Sequence, residues 1–175
     1  MRRNLYAALA ALALTACGDP AGSSGNQQGS LRFDYTGAIT GSYRAEAPTQ
    51  DTSGTGPYAL ARTHFGYEIQ SRSASQVPPV VRLRIGTDQL GSGVYEVQPI
   101  CDVSDARRCA NAQLEFPADP ATGARQRYLL VAGTVTITSA NAQRIRGTFS
   151  GTAQANVTRT IQVQNGEFDL PVLAP

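Results

Sequence analysis

Cys101 and Cys109 stand on either side of the stretch DVSDARR, and two thiols so close together can either close a small disulfide loop or supply half of a tetrahedral metal shell. The chain offers only one other thiol, Cys17, and one imidazole, His64, so a sulfur-based metal site would lack ligands. His64 itself could serve as a catalytic base if the fold delivered a nucleophile and an orienting carboxylate. No GxSxG elbow singles out a serine, and His64 lies at a strand's parity break beside Phe65, so we read it as a half-exposed strand histidine. Asp102 and Asp105, with Asp119 farther on, are oxygen donors that could hold calcium, but calcium needs six to eight oxygens, and loop aspartates more often bond their own backbone in turns. Arg82, Arg84, Arg144 and Arg146 would form an anion-binding stripe if their strands were neighbours; otherwise they pair across strands with carboxylates such as Asp34, Glu167 or Asp169. No glycine-rich phosphate loop, zinc-protease helix or calcium-loop spacing occurs. No catalytic residue, metal or cofactor is expected.

The chain opens with Arg2 and Arg3, an apolar run from Leu5 to Leu14, and then Thr15, Ala16 and Cys17, the layout of a secretory signal. The run is too short to span a bilayer. Leu14-Thr15-Ala16-Cys17 resembles the lipobox of bacterial lipoproteins. That resemblance implies diacylation of the Cys17 thiol, cleavage of the bond before it, and anchoring of the product through its acyl chains, since two or three chains hold durably where one does not. Gly18, in place of an aspartate, implies delivery to the outer membrane under the family's sorting rule. The domain would then face the periplasm or the cell surface. An exported chain meets an oxidising compartment, which makes a Cys101–Cys109 disulfide the expectation there.

Loss of residues 1–16 leaves 159 residues with 13 arginines against 13 acidic side chains. A net charge near zero gives nucleic acid or an anionic membrane surface no electrostatic reason to bind. Residues 17–30 carry the lipid site and the stretch GDPAGSSGNQQGS, which has no side chain fit for a core and reads as a flexible tether. Residues 31–175 are the size of one ordinary domain.

Such residues as these need strands to position them. LRFDYTGAITGSYRAEA, residues 31–47, places Leu31, Phe33, Tyr35, Gly37, Ile39, Gly41, Tyr43 and Ala45 on one face and polar side chains on the other. Period-two alternation marks a half-buried antiparallel strand. As one strand it would reach roughly 56 Å, so it is expected to bend at Gly37 and Gly41. Val131, Gly133, Val135 and Ile137 repeat the pattern. After a turn at 139–142 so do Ile145, Gly147, Phe149, Gly151 and Ala153, which predicts a long hairpin. In IQVQNGEFDLPV, residues 161–172, Asn165-Gly166 could turn a tight hairpin, or the switch from odd to even apolar positions could mark a bulge in a single strand. Matching the length of 143–155 favours the bulge. Shorter strands are expected at 58–70, 80–86, 93–97 and 112–116, making about eight.

GTFSGT and NGEFDLP, residues 147–152 and 165–171, are similar to strands in the small all-β domains of bacterial lipoproteins, a resemblance that implies architecture and no activity. The expected fold is an all-β, antiparallel barrel, lipocalin-like, or a strongly coiled sandwich. The expected role is a lipid-anchored, non-catalytic protein-interaction or structural module of the cell envelope. A lipocalin-like carrier of a small apolar ligand is the alternative, and a hydrolase stands third.

Overall fold

The computed structural model describes residues 27–49, 56–62, 66–72, 80–86, 91–101, 108–119 and 124–173. These form ten strands of one sheet: β1 (Gln27–Gly37), β2 (Gly41–Thr49), β3 (Gly56–Arg62), β4 (Gly66–Arg72), β5 (Val80–Gly86), β6 (Gly93–Val97), β7 (Cys109–Asp119), β8 (Ala124–Ala140), β9 (Arg144–Asn156) and β10 (Arg159–Leu173). Pairings run β3–β4–β5–β7–β8–β9–β10 and return to β3 through a short parallel match of Val172 with Ala59 and Leu173 with Leu60. The sheet therefore curls into a nearly closed barrel and is no sandwich. β6 pairs with both β7 and β8, and β1 pairs with β10 on one side and with β2 on the other.

Two of the eight expected strands are each a hairpin, which brings the number to ten. Residues 31–47 reverse at Ala38–Thr40, between the two glycines expected to bend them, and Tyr35 faces Gly41 while Phe33 faces Tyr43. Gly37 takes φ 126°, a conformation that favours glycine, and the Ala38 amide donates to the Thr160 carbonyl at 2.9 Å. Residues of equal parity face each other across this turn, so apolar positions keep their period straight through it. Residues 58–70 divide in the same way, with Arg62 paired to Gly66.

β1 begins at Gln27, not at Leu31, so the last four residues of the expected tether belong to the sheet. The extension explains Gly29. A Cβ there would come within 2.4 Å of the Pro57 carbonyl oxygen, so only glycine lets β1 lie this close to β3.

Alternation predicts the interior well. Val81, Leu83 and Ile85 of β5, Ile145 and Phe149 of β9, and Ile161, Val163, Phe168 and Leu170 of β10 are all buried. The parity switch in β10 is a bulge within one strand. Asn165 adopts φ 53° there, and the register against both β9 and β1 slips at that point. A second bulge in β8, between Leu130 and Ala132, corrects the inward assignment of Val131: Tyr128 and Leu130 are the buried residues, and odd positions take over from Gly133. Each bulge adds local twist, which a long strand needs to wrap round a barrel.

Phe33 is the hub of the core. Its ring stacks on Tyr43 at 5.1 Å between centroids and meets Phe149 at 5.6 Å and Phe116 at 6.4 Å edge-on. Tyr43 also hydrogen-bonds through its hydroxyl to the buried Ser71, joining the first hairpin to β4. Burial raises the Tyr43 phenol above its ordinary value, and the Ser71 bond only partly opposes this.

Candidate functional site

The four arginines considered as an anion stripe lie on separate parts of the barrel. Arg82 and Arg84 of β5 turn to the buried Glu68 of β4, at 3.1 and 3.4 Å. Arg144 and Arg146 of β9 both engage Asp169 of β10, the latter at 3.1 Å. β7 and β8 stand between the two groups, so they form two cross-strand clusters, each built round one carboxylate.

Asp169 is shared between the two arginines. Partial burial of its carboxyl works against ionisation, but hydrogen bonds and charge from Arg144 and Arg146 outweigh that and hold its pKa below the ordinary value. A carboxyl depressed in the folded state stabilises the fold above its unfolded pKa, and this contribution is lost as pH falls through the folded value. Urea midpoints followed from about pH 5 down to about pH 2 should therefore decline less in Asp169→Asn than in the wild type. Parallel acid profiles would remove Asp169 from this account.

Around this pair the outer face of β2, β1, β10 and β9 carries the most continuous group of ionic side chains among the described residues. In register across the strands run Arg44, Arg32, Glu167 and Thr148, and next to them Glu46, Ser30, Asp169 and Arg146. Arg32 holds Glu167 through two nitrogens, Nε at 2.9 Å and Nη2 at 2.5 Å. The face is hollowed into a depression of about 390 Å³ bordered by Arg32, Arg44, Glu46, Arg146, Glu167 and Asp169. A smaller one of about 190 Å³ lies toward the bulge, where Asn165 donates to Asp34 at 3.0 Å. Such a surface can recognise a polar or charged partner by paired hydrogen bonds. The sequence identified these side chains as outward-facing but did not single out Arg32, Arg44 or Glu46, because only strand order makes them adjacent.

Cys101 and Cys109 form a disulfide, with Cα atoms 5.6 Å apart. It ties the exit of β6 to the start of β7, and Cys109 is buried beside Gly86. On a chain-entropy estimate, so short a loop adds roughly 2 to 3 kcal/mol. Arg108 next to it lies 5.8 Å from the Tyr95 ring centroid and donates to the Ser92 carbonyl at 3.3 Å. Outside the staple, Ile100 is 83% exposed, and Leu129, 47% exposed, borders a depression of about 190 Å³ together with Pro99, Arg82 and Arg84.

Asp119 ends β7, while Cys17, His64, Asp102 and Asp105 lie outside the described residues. Among the described residues, no three His, Cys, Asp or Glu side chains gather where they could hold a metal ion.

Fold and surface together define the class: an all-β protein, a nearly closed barrel with an apolar interior, a disulfide staple and an ionic outer face. Compared with known proteins, the chain matches no family model, no curated protein and no solved structure.

Proposed function

We propose that this chain is a lipid-anchored lipoprotein of the cell envelope whose barrel serves as a non-catalytic protein-interaction or structural module. The observation that carries the module reading is the cluster of aromatic rings in the barrel interior. Phe33, Tyr43, Phe116, Tyr128, Phe149 and Phe168 are all buried and meet one another across the middle of the barrel. A carrier needs an internal void of roughly 300 Å³ or more. A depression of about 390 Å³ opens outward through charged side chains, on the outside of the sheet. Exposed Ile100 and Leu129 support recognition of a partner on the surface. The anchor rests on Leu14-Thr15-Ala16-Cys17 and the signal before it.

Anchoring is tested by growing cells with radiolabelled palmitate. The wild type is expected to take up label and fractionate with membranes, whereas Cys17→Ser stays unlabelled and is released or retained as uncleaved precursor. Equal behaviour of the two would end the lipoprotein reading. The module is tested by native mass spectrometry of protein purified from its own envelope, where a stoichiometric small-molecule adduct would instead support the carrier.

A further inference from the structure

We propose that β2 is the surface through which two copies of this chain associate, pairing edge to edge about a two-fold axis at Ala45. β2 lies at one end of the strand order, and among the described residues its backbone pairs with β1 alone, from Gln27 against Thr49 to Tyr35 against Gly41. β3 comes close to β2 but, among the described residues, does not pair with it. A Cβ on Gly29 would lie on the inward side, in phase with Leu31 and Phe33, and would strike the Pro57 carbonyl at 2.4 Å, so β3 passes beneath the open end of the hairpin. The register of β2 against β1 is unbroken by any bulge, and the stretch 41–47 is free of proline, so an added ladder would run along it and end at Pro48, which has no N–H to give. A long, regular edge is a template for another strand unless something prevents it.

Pro48 orients the edge. Proline has no N–H and is accommodated where its nitrogen faces away from the ladder. Backbone groups alternate sides along a strand, so Ser42, Arg44 and Glu46 share that direction and present their N–H and C=O groups to the free edge. In an antiparallel pairing centred on Ala45, Arg44 falls opposite Glu46 of the second copy, and Glu46 opposite Arg44 of the second copy. Both are hydrogen-bonded positions of the ladder. The contact is isologous, as a two-fold requires.

Charge selects this register over its neighbours. Centring on Arg44 would set two arginines face to face, and centring on Glu46 two glutamates, both unfavourable. Centring on Tyr43 would leave Arg44 opposite a serine. The Ala45 register also completes what the single chain leaves unfinished. Arg44 lies directly across from Arg32, whose guanidinium is already held by Glu167, and among the described residues neither Arg44 nor Glu46 makes an ion pair of its own. Adding the second copy gives a row of Glu167, Arg32, Arg44 and Glu46 in which each cation has its own anion. Exposed ion pairs contribute little affinity; the backbone ladder supplies the association, and the charges choose its alignment.

This inference goes beyond the proposed function and is independent of acylation at Cys17. Sedimentation equilibrium of the full chain in density-matched detergent should show a monomer–dimer equilibrium. Arg44→Glu and Glu46→Arg should each raise the dimer Kd about tenfold or more, because two opposite-charge contacts become two like-charge ones. The double variant R44E/E46R should bring Kd back to within about threefold of the wild type, since it restores opposite charges at both contacts. A chain that stays monomeric up to about 100 μM, or a dimer indifferent to both single changes or not rescued by the double, overturns the proposal.

Discussion

Gly133→Val is expected to abolish folding. Gly133 sits inside β8 directly opposite Gly151 of β9, at φ 139°, where any L side chain is strained. Space is the larger obstacle. A Cβ at this position would fall 2.1 Å from the Ser150 carbonyl oxygen and 2.5 Å from the Gly151 Cα, both backbone atoms of the neighbouring strand. Neither can rotate away as a side-chain tip could. Relief would require β8 and β9 to separate at the middle of their long hairpin, breaking ladder bonds on both sides. We expect the variant to accumulate as insoluble or protease-sensitive chain, with near-UV circular dichroism lost. Gly91→Ala is the control. Nothing lies within 4 Å of a Cβ there, so its unfolding midpoint should stay within about 0.5 kcal/mol of the wild type. A soluble Gly133→Val protein with wild-type cooperativity would mean that the two strands do not approach as closely as described.

Phe33→Ala is expected to cost about 3 to 5 kcal/mol and lower the melting temperature by roughly 10 to 15 °C. Phe33 is 2% exposed and touches rings from three other strands: Tyr43 of β2, Phe116 of β7 and Phe149 of β9. Truncation removes the transfer energy of the ring and opens a void that rigid sheet walls cannot close. The loss is a large part of the 5 to 15 kcal/mol typical of a domain. Phe33→Leu should recover about half, because most of the volume returns without the aromatic contacts. Urea denaturation of the three proteins measures this directly. A loss below about 1 kcal/mol for Phe33→Ala would show that Phe33 is not a centre of the core.

The fold was legible in the sequence wherever one strand alone decided the outcome. The span of β5, the hairpin of β8 and β9, the bulge of β10 and the inward face of nearly every strand follow from which side chains avoid water. The disulfide was expected from two cysteines standing close together in a chain read as exported. Leu130 in place of Val131 was missed because a bulge changes parity by one residue, and VAGTVTI reads as unbroken alternation from either starting point. The charged face was only half legible. Arg32, Arg44, Glu46, Glu167 and Asp169 could be recognised as outward-facing, yet nothing within one strand reveals that β1 lies beside β10.

The amino-acid order by itself determined that this is an all-β chain and which face of most of its strands enters the core. Only the tertiary structure decided that residues 31–47 and 58–70 each turn back on themselves, that β10 returns to β3 to close the barrel, and that β2, among the described residues, pairs with β1 alone. The reason is physical. Burial imposes a period of two on each strand separately, and a turn that pairs residues of equal parity leaves that period unchanged. Which strands become neighbours depends on backbone hydrogen bonds between segments far apart in the chain, and these groups are the same at every residue.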